Sequence, residues 1–161
     1  MTVKETLARL GLPLPAAFRT ASGAPLPLTW VRVRGDLAFV SGHVPQNPDG
    51  TLAQPLGKVG AALSLEQGVS AARQVALGML GSLERALGDL ERVRAWRRIF
   101  GMVNAAPGFT QLPAVINGFS ELILELYGPE RGAHARSAVG LCELPFGAPV
   151  EIEAEVEIAL V

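Results

Sequence analysis

The last stretch of the chain, Val150 to Leu160, alternates without a break. Val150, Ile152, Ala154, Val156, Ile158 and Leu160 are apolar, and Glu151, Glu153, Glu155 and Glu157 stand between them. A side-chain period of two belongs to an extended strand with one buried face and one solvated face. The chain must therefore build a sheet that is covered on one side. Four like charges on one ridge repel unless basic neighbours offset them. Arg92, Arg94 and Arg98 share one parity around a second extended stretch, Val93–Val103, and are expected to do so.

Two amphipathic helices are available as the cover. Ser64 and Gln67 form an S-x-x-Q cap, after which Leu65, Val69, Ala72, Ala76, Leu80, Leu83 and Leu87 recur at helical spacing, and Gly88 supplies the stop. Thr110 is expected to cap the second helix, which carries Leu112, Val115, Ile116, Phe119, Leu122, Ile123 and Leu126 and closes at Gly128-Pro129. A short N-terminal helix, Thr2–Leu10, opens on a T-x-x-E capping box of Thr2 and Glu5. Residues 13–27 hold Pro13, Pro15, Pro25 and Pro27 and read as an extended loop. Trp30–Val33 and Leu37–Ser41, joined by Arg34-Gly35-Asp36, read as a hairpin. Ser41–Gly50 is a loop dense in turn formers, Ala135–Leu144 a strand, and Pro145-Phe146-Gly147 a turn.

The order β-β-α-β-α-β-β, with the extra N-terminal helix, gives a single α+β domain over residues 1–161. One mixed sheet with both helices on one face is the simplest way to bury the stripes. Leu37-Ala38-Phe39-Val40 is apolar on both sides, so the other face is expected to be covered by a second copy.

Composition narrows the function classes. With 161 residues, 49% of them hydrophobic, the chain can bury a core without a metal or disulfide staple. Fourteen basic against fifteen acidic residues supply no electrostatic case for tracking phosphates, so nucleic acid is not an expected partner. A single cysteine, Cys142, and two histidines, His43 and His134, cannot make a zinc site of cysteines or a histidine-rich centre, and no metal is expected. Lys4, Glu5 and Arg9 interrupt the N-terminus where a signal peptide would be apolar, and no apolar run is long enough to cross a membrane. The chain reads as cytoplasmic.

The common chemical signatures are absent. Gly57-Lys58-Val59-Gly60 is too short for a phosphate loop, and there is no G-x-G-x-x-G, G-x-S-x-G or H-E-x-x-H. Cys142 and His134 lie too far apart along one predicted strand to act together, so Cys142 reads as a structural buried thiol. A lone arginine, Arg136, stands in a run of small residues, Ala133, Ala135, Ser137 and Ala138. Such a guanidinium is either a surface group on an edge strand or the grip of a carboxylate through two parallel hydrogen bonds.

The C-terminal third resembles the signature of the RidA/YjgF family, the reactive-intermediate deaminases once labelled endoribonuclease L-PSP. The family pattern, roughly A-R-[ST]-x-V followed by L-P and V-E-[IV]-E-A, is met by Ala135-Arg136-Ser137-Ala138-Val139, Leu144-Pro145 and Val150-Glu151-Ile152-Glu153-Ala154. Phe39-Val40-Ser41-Gly42 is similar to the family's strand ending in S-G-[QH]. Gly88-Asp89-Leu90 to Val93 and the helical Asn117 also match, so the resemblance covers about residues 28–160. The extra length is similar to that of a longer, less characterised branch.

The resemblance implies a chorismate mutase-like fold, a homotrimer with a central barrel of sheets, and a ligand pocket in each subunit interface. It implies hydrolysis of 2-imino or enamine acids to 2-oxo acids and ammonia, without metal or organic cofactor. Arg136 matches the arginine that binds the substrate carboxylate, and Glu151 the glutamate that holds or activates water. Ser41 matches a pocket serine and Asn117 a helix residue near the pocket, while His134 shares a strand parity with Arg136 and is expected at the pocket mouth. Leu28 stands where the family often has a tyrosine and Ala138 where it has a cysteine, which makes the pocket more apolar. Two other functions stay open. One is a trimeric protein that binds small carboxylates without turnover, and the other is a ribonuclease or translation inhibitor, the older family label.

Overall fold

A computed structural model describes residues 1–160. Its elements run α1 (Val3–Arg9), β1 (Val31–Arg34), β2 (Leu37–His43), α2 (Leu65–Leu87), β3 (Val93–Asn104), α3 (Leu112–Gly132), β4 (Ala135–Leu141) and β5 (Val150–Ile158). The five strands form one sheet in the order β1-β2-β5-β3-β4. All neighbours pair antiparallel except β3 and β4, which are parallel.

That order explains the layering. β5, last in the sequence, slots between β2 and β3 and runs against both. The crossover from β2 through α2 to β3 and the crossover from β3 through α3 to β4 therefore step the same way across the sheet. Crossovers of one hand stepping one way fall on one face, and α2 and α3 do pack side by side there. Val150, Ile152, Ala154, Val156 and Ile158 are buried beneath them, and the glutamates between are not. Trp96 and Phe119 meet edge to face, with ring centroids 5.7 Å apart, at the centre of the core.

The capping boxes form as the sequence predicts, Thr2 with Glu5 on α1 and Ser64 with Gln67 on α2, and Gly88 ends α2 in the left-handed region at φ 80°. The start of α3 differs. Gln111, not Thr110, is its N-cap, and it makes no side-chain cap bond. Pro113 in the first turn needs no N–H partner there and fixes the start instead. Gly128 breaks α3 as expected, at φ 71° and ψ 176°, but a further turn follows it to Gly132.

Three other expectations are corrected. Strand β4 stops at Leu141 rather than Leu144, and Cys142, just beyond it, is exposed rather than buried. Its backbone carbonyl accepts a hydrogen bond from Lys58, whose Nζ also donates to Asn104 Oδ1 at 2.8 Å and ties the loop before α2 to the ends of β3 and β4. The arginine ladder does not form either. Irregularities between Val93 and Ala95 and between Trp96 and Arg98 break the parity of β3. Arg98 falls opposite Glu155, but among the described residues none of Arg92, Arg94 or Arg98 makes an ion pair with the β5 glutamates. Arg92 instead donates to the carbonyls of Leu87 and Ala159.

The two long helices touch backbone to backbone at Gly118. A Cβ there would lie 2.1 Å from the Val69 carbonyl oxygen on α2. Gly118→Ala is therefore expected to force the helices apart and cost about 1–3 kcal/mol, read as a lower urea midpoint.

Candidate functional site

Arg136 sits near the start of β4, the edge strand. In register it lies beside Ile99 of β3 and, one strand further, Ala154 of β5, in the row that faces the helices. At the edge of the sheet that row is not fully covered, and the residue stays exposed. Helix α3 supplies its partners. Nη2 donates to Asn117 Oδ1 at 2.7 Å and, at 3.4 Å, to the Pro113 carbonyl, while Nη1 donates to Ser120 Oγ at 3.1 Å. Pro113, Asn117 and Ser120 lie on one helix face because they are spaced four and three residues apart. Ser120 was not among the residues the sequence singled out. Its spacing from Asn117 was the available signal.

His134 joins the same group through Ser120. Its Nδ1 lies 2.6 Å from the Gly132 carbonyl, which can only accept, so Nδ1 carries the proton. Nε2, 2.9 Å from Ser120 Oγ, is then the acceptor. Burial pushes the pKa of His134 below the usual imidazole value and Arg136 adds to the effect, against the pull of the Gly132 bond. The ring is neutral at pH 7. Ala138, two residues beyond Arg136, shares its face and is half-buried against the core.

Glu151 lies elsewhere. It alternates with Ile152, so it faces the side of the sheet away from the helices, in register with Met102. Relative to Arg136 it is displaced by roughly 10 Å along the strands and roughly 10 Å across them, on the opposite face. Within one chain the two residues do not meet. Glu151 is half-buried, and burial together with the neighbouring Glu153 charge raises its pKa above the usual carboxylate range. Gly42 makes its space, since a Cβ at that position would stand 2.1 Å from Glu151 Oε1.

Ser41 belongs with this second group. It lines an open cavity of about 410 Å³ on the outer face with Thr29, Arg32, Phe39, Arg98 and Glu153. Its hydroxyl donates to the Thr29 carbonyl at 2.8 Å. Leu28 is next to Thr29 in the chain and 45% exposed. The candidate residues thus fall into two sets, Arg136, Asn117, His134 and Ala138 at the β4 edge, and Glu151, Ser41 and Leu28 on the far side. Among the described residues no cluster of three or more His, Cys, Asp or Glu side chains is placed to hold a metal. No helix is long and apolar enough to cross a membrane.

A second histidine shapes the Glu151 side. His43 is 1% exposed and lies at an irregularity of β2 between Val40 and His43. Its Nδ1–H donates back to the Ser41 carbonyl at 2.6 Å and its Nε2 accepts from Ser82 at 2.8 Å. Arg85 in turn donates to Ser82 Oγ and to the Pro15 carbonyl. The backbone at Ser41 and Gly42, and hence the room for Glu151, is held by this buried chain of bonds.

Comparison with known proteins places the molecule. Residues 6–149 match the family model described as “YjgF/chorismate mutase-like, putative endoribonuclease”. The chain belongs to the RidA/YjgF family. It is 43% identical over 156 residues to Protein TCP17 of Trypanosoma cruzi, a match covering 97% of this chain and 94% of that one. Among solved structures it is similar to the protein Atu1372 of Agrobacterium tumefaciens, described as of unknown function. That similarity has 36% identity and a TM-score of 0.87, and covers 98% of this chain and 92% of that one. RidA from the Antarctic bacterium Psychrobacter sp. has 21% identity and a TM-score of 0.55, over 89% of this chain and 93% of that one, and shows the shared fold. The mixed sheet with helices on one face is the chorismate mutase-like fold of this family.

Burial drives the pKa of His43 down to about 4, against the Ser41 bond that favours the charged ring. An unfolded histidine takes up its proton near pH 6.5, so between about pH 6.5 and 4 the unfolded state binds more protons than the folded one. Stability is therefore full above that window and falls as pH drops through it, by about 3 kcal/mol from this residue. Urea midpoints for the wild type are expected to decline from pH 7 to 4, and His43→Gln to be lower at pH 7 with a flatter decline.

Proposed function

We propose that the chain hydrolyses reactive 2-imino or enamine acids to 2-oxo acids and ammonia, in a pocket formed between copies. The observation that carries this reading is the state of Arg136. Its guanidinium is pinned by Asn117 and Ser120 yet stays open to solvent at a sheet edge. A fixed planar fork with uncommitted N–H groups is suited to a carboxylate, and holding the carboxylate aims the adjacent imine carbon.

Glu151 suits the second role. A carboxylate with a raised pKa is a stronger proton acceptor than an ordinary one. Glu151 would take a proton from water as the oxygen adds to the imine carbon, giving a carbinolamine. That proton passes to the nitrogen and completes the amine. Glu151 would then relay the hydroxyl proton to the same nitrogen as the C–N bond breaks, so ammonia leaves and the C=O of the 2-oxo acid forms. The reaction consumes one water and needs no oxidant or reductant.

The opposite facing of Arg136 and Glu151 gives the pocket its reason to lie between subunits. A second copy set against the β4 edge would bring its Glu151, Ser41 and Leu28 toward the first copy's Arg136, Asn117 and Ala138. A trimer, the family's arrangement, would form three such pockets and cover the outer face on which Phe39 is 42% exposed. Leu28 and Ala138 would make the walls apolar and favour substrates with a short aliphatic side chain.

The test is ammonia release from imino acids generated in place by an amino-acid oxidase. Arg136→Ala and Glu151→Ala are each expected to lose about 10²-fold or more of the acceleration. Mixed after co-refolding, the two variants should regain part of it, because some interfaces then pair an intact Arg136 with an intact Glu151. Retained binding of a 2-oxo acid with no turnover in the wild type would replace the enzyme with a carboxylate-binding protein.

A further inference from the structure

We propose that Ser120 and His134 are positioning residues for Arg136. The inference rests on the reading that Arg136 grips the substrate carboxylate. It follows from the direction of each bond. The Gly132 carbonyl only accepts, so the His134 proton is on Nδ1 and Nε2 must accept. Arg136 only donates, so Ser120 Oγ must accept from Nη1 and has its one proton to give to His134. Every bond from the backbone carbonyl to the guanidinium therefore has one possible polarity while the ring is neutral. Phe119, edge-on to the His134 ring at 6.3 Å, limits the ring's tilt.

The outcome is a guanidinium held at two separate nitrogens, Nη1 by Ser120 and Nη2 by Asn117. Two points fix the rotation of its plane, where Asn117 and the longer 3.4 Å bond to the Pro113 carbonyl would hold it at Nη2 only. Ser120 itself is 9% exposed and so is not a ligand-facing group.

The same construction occurs a second time, which shows what distinguishes this copy. Arg85, Ser82 and His43 repeat the order arginine, serine, histidine, backbone carbonyl. There the arginine's other end is closed by the Pro15 carbonyl at 2.9 Å, and the chain serves the fold. In the Arg136 chain the second nitrogen is bound by Asn117 and the Pro113 carbonyl, so helix α3 alone sets both ends of the guanidinium.

The experiment compares binding of 2-oxobutanoate with its neutral analogue, 2-oxobutanamide, to the full-length protein by titration calorimetry. The wild type should prefer the acid. Ser120→Ala and His134→Phe, the latter keeping the ring volume, should each reduce that preference about tenfold while amide affinity stays within about twofold. A packing defect would weaken acid and amide alike, and that result overturns the proposal. So does an unchanged preference in both variants alongside its loss in Arg136→Ala, which would leave Arg136 as the grip without the relay. An unchanged preference in Arg136→Ala would remove the carboxylate reading itself, and the proposal with it.

Discussion

Everything in this molecule is arranged around β5. The strand is made last, yet it lies between β2 and β3 and pairs with both. Its apolar row is the floor beneath α2, with α3 resting beside it on β3 and β4, and the row between carries Glu151 on the opposite face. A slip of one residue would exchange the rows and place glutamates under the helices. Register is therefore set by the heaviest energetic penalty in the sheet, the burial of charge. The strands that carry Ser41 and Arg136 inherit their positions from it, one directly and one through β3.

Much of this was legible because its signals are local. The alternation of Val150 to Leu160, the two capping boxes and the glycine at 88 each report on a few neighbouring residues, and each element formed there, although β5 ends at Ile158 and leaves Leu160 exposed. The motif around Arg136 and the one around Ser41 likewise identified the family before any geometry was known. What failed was non-local or depended on a single irregularity. The expected pairing of Arg92, Arg94 and Arg98 with the glutamates assumed an unbroken parity, and irregular steps in β3 shift it. A buried Cys142 presupposes a β4 that runs on to Leu144; the strand ends at Leu141, Cys142 is exposed, and Lys58 binds its carbonyl.

The site shows the same division. Sequence motifs singled out Arg136 and Asn117 and strand parity His134; the first two bond directly, and Ser120 joins His134 to them. They also paired Arg136 with Glu151, fifteen residues apart in sequence. Strand parity alone could not reveal that the two face opposite sides, because a reversal of direction and a turn at Phe146 lie between them. Whether two side chains share a face is a property of the whole sheet once the intervening chain changes strands.

The closeness of Gly42 to Glu151 has a consequence for how this protein can change over generations. The carboxylate holds its present place because position 42 has no side chain, and the Cβ of an alanine, 2.1 Å from Oε1, would turn the flexible end of Glu151 aside. A side chain at 42 would redirect the acid and leave the strand itself in place. An aspartate at 151, one methylene shorter, would tolerate a small residue at 42 but withdraw the acid from the surface. Divergent descendants of this chain should therefore gain or lose the glycine and the glutamate as one inherited unit, and the sequence at position 42 becomes a readable marker of whether the far-side acid is still in use.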